Sequence, residues 1–278
     1  MKYFILVFVV ILSVSCNRKK SESTNKSIYY TDTINSVYLK ELRLHNIYLP
    51  KNFDKNKNYK IVFATDGSKI YENSFRKKML DSLIDNNIIP PILYVESFYN
   101  KKIADSTSMT TGDGEKVKLN YRNFEYVEDQ YNEGADIKLK DRFNNHMLYF
   151  EEEFIPIVEK ELGLKNNENS RIFYGFSNGA GFGVSLLNRH PNLIGTYICF
   201  STMGFNSSDE KWNKNVEYPN LYLKYGEEES FLDYIHENIK ENYKVSSSFV
   251  DIEVYDGGHD GKIWEKKFRE TLIQVLKN

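Results

Sequence analysis

"RIFYGFSNGAGFG" (residues 171–183) is the stretch on which the fold turns. Residues 172–176 are mostly of strand-favouring type. They run directly into a cluster of glycines, with Ser177 between Gly175 and Gly179. Beyond the glycines, Val184, Leu186 and Leu187 give the following segment the apolar spacing of a helix. Gly175-Phe176-Ser177-Asn178-Gly179 therefore fits G-x-S-x-G in a strand–turn–helix context. The spacing has a steric origin. A serine on so sharp a turn needs small residues two places before and two places after, because backbone from neighbouring elements packs there. Its hydroxyl then stands above the end of the strand, and the N–H of Asn178 opens the helix, able to face a developing oxyanion. The plainer alternative is a serine that merely caps a helix after a glycine turn.

Outward from this stretch, strand and helix patterns alternate. "SVYLKELRLHNIYLP" (36–50) has the alternation of antiparallel strands, and "NYKIVFATDG" (58–67) reads as a buried strand. "SFRKKMLDSLIDNN" (74–87) carries a helical apolar stripe, and "IIPPILYVES" (88–97) is a further strand. Residues 98–137 show no sustained period and read as a long loop. A helix is expected over 139–164, strands over 193–201, 219–226 and 249–258, and helices over 230–244 and 261–278. This order predicts an α/β fold with a mostly parallel central sheet and an antiparallel N-terminal pair. No internal repeat or second-domain boundary is visible, so 28–278 is expected to form one domain.

The bulk numbers agree. The 278 residues suit one large α/β domain, and 41% of them are hydrophobic. A net charge of −2, with both signs interspersed, argues against a nucleic-acid partner. Tyr121, Phe124, Tyr126 and Tyr131 form an aromatic segment that suits either a ring-binding cleft or simple packing.

"MKYFILVFVVILSVSC" (1–16) joins a basic start to a short apolar run and small residues before a cysteine. This predicts a signal peptide over 1–15, with Cys16 as the lipidated first residue of an exported bacterial lipoprotein, anchored through that lipid to a membrane of the cell envelope. "NRKKSESTNKS" (17–27) then reads as part of a flexible tether over 16–27. The only other cysteine, Cys199, lies in an apolar run and is expected to be a buried, inert thiol.

A serine nucleophile needs a base. Of five histidines, His45, His146, His190 and His236 lie in expected strands or helices, and none has metal-ligand spacing. His259 differs: it follows the last strand in "YDGGHDGKIW" (255–264), ahead of the closing helix. Carboxylates between serine and histidine cluster in "LYLKYGEEES" (221–230), as Glu227, Glu228 and Glu229, with Asp233 close behind. From spacing alone these four remain open.

Taken together, "NIYLPKNFDKNKNYKIVFATDG" (46–67), "FEEEFIPIVEKELGL" (150–164), residues 171–201, "LYLKYGEEES" and "GGHDGKIW" (257–264) resemble the esterase D-like branch of the α/β-hydrolases. That branch includes enterochelin (siderophore) esterases and feruloyl esterases. The resemblance runs from about Ser36 to the C-terminus. It implies an α/β-hydrolase fold with helices on both faces of the sheet, and a catalytic triad of Ser177, His259 and an acid. The acid falls on Glu229, although the threonine usual in that motif is missing and Glu228 stays possible. The resemblance further implies oxyanion donors at Asn178 and in "TDGSK" (65–69), around Gly67 and Ser68. It matches an Arg-x-x-Glu-Tyr motif to "RNFEY" (122–126), which gives Arg122 and Tyr126 a part in shaping the substrate pocket. The expected activity is carboxylic-ester hydrolysis through an acyl-enzyme, on a small-molecule ester such as a siderophore, feruloyl or acetyl-sugar ester. No metal or organic cofactor is implied. A non-catalytic binding lipoprotein of the same fold, or an acyltransferase with the same triad, are the rival readings. The sequence says nothing of the oligomeric state.

Overall fold

A computed structural model of the chain describes residues 25–70, 74–110, 116–131, 136–205 and 212–277. The expected signal peptide and Cys16 lie outside the described residues, as does the tether up to residue 24.

The alternation of apolar residues in the strands builds a two-sided sheet. β1 (Ile28–Ser36) and β2 (Glu41–Leu49) form an antiparallel pair at one edge. β3 (Lys60–Gly67), helix α1 (Phe75–Asp85) and β4 (Ile92–Phe98) follow as a β-α-β unit, β3 and β4 pairing in parallel. Along β3, Ile61 and Phe63 enter one buried cluster, while Val62 and Ala64 enter another on the opposite face. β7 (Arg171–Phe176) repeats the pattern: Phe173 points to the first cluster, Ile172 and Tyr174 to the second. Each of these fully buried large apolar side chains contributes roughly 1.5–3 kcal/mol through removal from water.

Between β4 and β7 lies a segment that corrects the sequence reading. Residues 98–137 are not one long loop. They hold an antiparallel pair, β5 (Ile103–Thr110) with β6 (Lys116–Asn120), then helix α2 (Tyr121–Tyr126) and 3₁₀ turns at Glu128–Gln130 and Ile137–Leu139. The strands are short and α2 has only six residues, too few for a helical period to stand out. Tyr121 and Phe124 pack with Leu119 and Leu139 into a small core of their own, against which Tyr131 lies. Their rings thus hold the segment together.

A long helical run follows: α3 (Arg142–Leu148), a π-helical turn (Tyr149–Phe154) and α4 (Ile155–Leu162), closed by Gly163 in the left-handed conformation at φ 70°. The π turn interrupts what the sequence suggests is one regular helix. After β7 come α5 (Asn178–Arg189), β8 (Thr196–Phe200), β9 (Asn220–Gly226), α6 (Asp233–Val245), β10 (Val250–Tyr255) and α7 (Gly261–Lys277).

The sheet has eight strands in the order β1-β2-β4-β3-β7-β8-β9-β10. From β4 to β10 every pairing is parallel; β1–β2 and β2–β4 are antiparallel. Residues of α3, α4, α5 and α6 join the first cluster and residues of α1 and α7 the second, so helices cover both faces. Parallel strands bring their C-terminal ends to one edge, where crevices for ligands form. Residue 177 follows β7 there, residue 229 follows β9 and residue 259 follows β10.

Cys199 is fully buried in β8, and burial pushes its thiol pKa up. Three imidazoles are sealed in the interior: His45 on β2, His146 on α3 and His236 on α6. None of their ring nitrogens has a hydrogen-bond partner among the described residues. His190, at the end of α5, faces Glu151 at 2.8 Å.

Candidate active site

Ser177 sits between β7 and α5 with φ 54° and ψ −132°, a conformation that costs a non-glycine residue about 1–3 kcal/mol. The turn is overdetermined by its surroundings. The Ser177 N–H donates to the Phe200 carbonyl at 2.9 Å, and the Ser177 carbonyl accepts from Ala180, Gly181 and Met203 N–H at 3.0, 3.1 and 3.2 Å. The flanking glycines are sterically required. A Cβ on Gly175 would lie 2.7 Å from the Gly179 carbonyl oxygen. One on Gly179 would lie 2.4 Å from Thr65 Oγ1 and 2.7 Å from Asp66 Oδ2. The end of β3 therefore abuts the first turn of α5.

The Ser177 hydroxyl is 3.1 Å from His259 Nε2, 82 residues along the chain, and His259 Nδ1 is 2.6 Å from Glu229 Oε1. His259 and Glu229 meet because the ends of β9 and β10 touch backbone to backbone. A Cβ on Gly226 would fall 2.1 Å from the Gly257 carbonyl oxygen, and Gly257 adopts φ 120°. Glu228 N–H donates to that same carbonyl at 3.1 Å.

The three neighbouring glutamates part company here. Glu227 and Glu228 are exposed, whereas Glu229 is 1% exposed. Asp233 is exposed on α6, beside the Tyr225 hydroxyl. Of the four carboxylates left open by spacing, Glu229 is the one that contacts the imidazole. Its second oxygen accepts from Ser201 Oγ at 2.7 Å and Gly226 N–H at 2.8 Å. Ser201 Oγ in turn accepts from Trp264 Nε1 at 2.9 Å. The Trp264 ring meets the His259 ring edge-on, with centroids 4.6 Å apart, and stacks on Phe176 at 4.7 Å. Such packing fixes both the carboxylate and the imidazole. The support from Ser201 escaped sequence reasoning; its signal was a hydroxyl at the C-terminal end of the strand next to the nucleophile strand.

With Nδ1 donating to the carboxylate, Nε2 is left as the acceptor for the serine proton. The arrangement can thus withdraw that proton as the oxygen attacks an electrophilic carbonyl.

Asn178 is the first residue of α5, whose opening N–H groups lack intrahelical acceptors. Gly67 ends β3 and Ser68 follows it. Arg122 and Tyr126 both bear on the turn after β3. Arg122 grips the Asp66 carboxylate, Nε to Oδ1 at 2.5 Å and Nη2 to Oδ2 at 3.0 Å. Tyr126 is 1% exposed, and its hydroxyl oxygen accepts the Asp66 N–H at 3.3 Å. The intervening Glu125 is fully buried between the Arg43 and Arg142 guanidiniums. The motif therefore acts on residue 66, which the sequence reading did not single out and which has φ 63°. Beside this turn lies a cavity of about 240 Å³ lined in part by Asp66, Ser68, Arg76, Glu96 and Phe176.

An eight-stranded, mostly parallel sheet, helices on both faces and a serine turn at its C-terminal edge define an α/β-hydrolase fold. The chain belongs to the Esterase family, whose model matches residues 36–275, and its activity is that of a carboxylic-ester hydrolase. A comparison of the sequence with curated proteins finds no match. Among solved structures, a ferulic acid esterase is similar at a TM-score of 0.65 and 17% identity, over 91% of this chain and 99% of the other. An enterochelin esterase from Shigella flexneri gives 0.65 and 15%, over 91% of this chain and 59% of that one. A mutant of the feruloyl esterase module from Clostridium thermocellum, complexed with sinapinate, gives 0.60 and 14%, over 90% and 88%.

Proposed function

We propose that the chain hydrolyses esters as a serine enzyme, through a covalent acyl-enzyme. The observation that carries this is the unbroken contact chain from Ser177 Oγ through His259 to buried Glu229. In this reading His259 Nε2 takes the hydroxyl proton as Ser177 Oγ bonds to the ester carbonyl carbon. Glu229 holds the imidazole in the required tautomer and stabilises the imidazolium. The oxyanion is met by the Asn178 N–H and one from the turn after β3. His259 then gives its proton to the departing alcohol, the acyl–oxygen bond to the alcohol breaks, and the acyl group stays on Ser177. Water, deprotonated by His259, releases the acid and restores the serine.

For the substrate, the proposal is an ester of a ring-bearing acid, as in a feruloylated sugar, or a siderophore ester. Proteins of similar fold solved with ferulic acid, sinapinate or enterobactin support it. The rings of Tyr121, Phe124 and Tyr126 do not, since all three are buried. The test has two parts. An aryl phosphonate fluoride should label Ser177, read by peptide mass spectrometry. Steady-state rates on a ferric catecholate ester, a feruloyl sugar and an acetyl sugar should favour the first two by at least about tenfold, a modest margin for shape-dependent discrimination. Equal weak rates on all three reject the aromatic preference while leaving the labelling result to stand on its own.

A further inference from the structure

Both sides of the turn after β3 are anchored, and the anchors fix which way its peptide groups face. The Asp66 N–H is already committed to the Tyr126 hydroxyl. The Gly67 carbonyl accepts from the Tyr99 N–H at 3.3 Å, on the β4 side of β3. A trans peptide holds its C=O and N–H in opposite directions. The Ser68 N–H, which shares that peptide with the Gly67 carbonyl, therefore points away from β4. On β3 the opposite neighbour is β7, the strand that leads into Ser177.

The other end of residue 68 is held by a fully buried amide. Asn46 on β2 donates from Nδ2 to the Ser68 carbonyl at 2.7 Å and to Glu96 Oε1 at 2.6 Å. Its Oδ1 accepts from Thr31 Oγ1 at 2.7 Å, so the orientation of the amide is set. Glu96 is fixed in turn: Tyr29 donates to Oε1 at 2.7 Å and Tyr94 to Oε2 at 3.1 Å. Backbone contact completes the grip, since a Cβ on Gly67 would lie 2.8 Å from the Glu96 carbonyl oxygen. No part of this network touches the serine or the histidine. All of it converges on the peptide groups that flank residue 68.

We propose that Asn46, oriented by Glu96, is a positioning residue of the esterase reaction: it clamps the Ser68 carbonyl so that the Ser68 N–H is preset toward the oxyanion at Ser177. The inference rests on the serine reading above. Preset donors act where charge develops in the transition state and do little for ground-state binding. Loosening the clamp should therefore lower kcat and spare KM.

The experiment compares Asn46→Ala, Asn46→Asp and Glu96→Gln with the wild type on p-nitrophenyl acetate, with active sites counted by phosphonate titration. In Asn46→Ala, kcat per active site is expected to fall about 10-fold to 100-fold, below the cost of losing a donor outright, with KM within about threefold. Phosphonylation of Ser177, whose phosphoryl oxygen occupies the same place, should slow in step. Asn46→Asp keeps the size but loses the donor; it should behave alike and serves if the alanine variant does not fold. Glu96→Gln retains an oxygen for Asn46 and Tyr29, and should lose less kcat than either Asn46 variant, a graded effect that bulk destabilisation would not show. Wild-type kcat per active site in either Asn46 variant, or a loss carried by KM, overturns the proposal alone. A wild-type chain that takes no phosphonate at Ser177 removes the serine reading and this one with it.

Discussion

Ser177→Ala is expected to turn over p-nitrophenyl acetate at least about 10⁴-fold more slowly than the wild type, because loss of a nucleophile removes the covalent path altogether. The fold should survive. The turn is held by backbone bonds from Ala180, Gly181, Met203 and to Phe200, none of which uses the hydroxyl. Among the described residues, the polar contacts of the side chain itself are with His259 Nε2 and, at 3.8 Å, with Met203 Sδ. Alanine also meets the same φ restriction as serine, so the strain is unchanged. Circular dichroism and the melting temperature check integrity, and the residual rate decides the matter. A variant that is folded and within tenfold of wild type would exclude Ser177 as nucleophile.

The second large effect is expected from Glu229→Gln, with kcat down about 10³–10⁴-fold at neutral pH. The size follows from which way the amide must turn. The inner oxygen of Glu229 faces two donors, the Gly226 N–H and the Ser201 hydroxyl. The backbone N–H cannot rotate away, so the glutamine oxygen has to take that position. Its NH₂ group is then left facing His259 Nδ1, which must become an acceptor. The ring proton moves to Nε2, and the imidazole can no longer accept from Ser177. Exposed Glu228→Gln is the control and should stay within about threefold. Equal losses in the two variants, or a Glu229→Gln enzyme of near-normal kcat, would refute the role given to Glu229.

The parts of the fold that were legible were those with a clean period. β3, β7 and β9 are short apolar runs bounded by turn residues, and α5 announces itself through its glycine start and apolar spacing. The segment 98–137 was illegible because its elements are short and held by long-range contacts: α2 owes its position to Arg122 meeting Asp66 and Glu125 meeting Arg43 and Arg142. Ser177 and His259 could be picked out because chain order and motif restrict them. Glu229 could not be separated from its neighbours by spacing, since burial distinguishes the three and burial depends on how a 3₁₀ turn, Glu227–Leu232, leaves the sheet. Asn46 and Glu96 carry no motif at all. Their meaning arises from register, because β2 and β4 place them opposite one another.

The three imidazoles enclosed in the core give the domain a built-in sensitivity to acid. Burial lowers the pKa of His45 and His236 from 6.5 to about 4, and drives that of His146 well below its ordinary value, with the Arg43 and Arg142 charges adding to the effect. All three are neutral in the folded chain at neutral pH, while in the unfolded chain each takes up a proton below about pH 6.5. Proton uptake therefore favours unfolding: the stability is fully present above that pH and drains away as pH falls toward 4, by roughly 3 kcal/mol for each of His45 and His236. Urea midpoints measured from pH 7 to pH 4.5 should fall, and His236→Gln should flatten the decline; a midpoint that does not move would show that the interior admits the proton without unfolding. An enzyme whose core excludes protons in this way works against a limit set by the acidity of its surroundings, one that no change at Ser177 would lift.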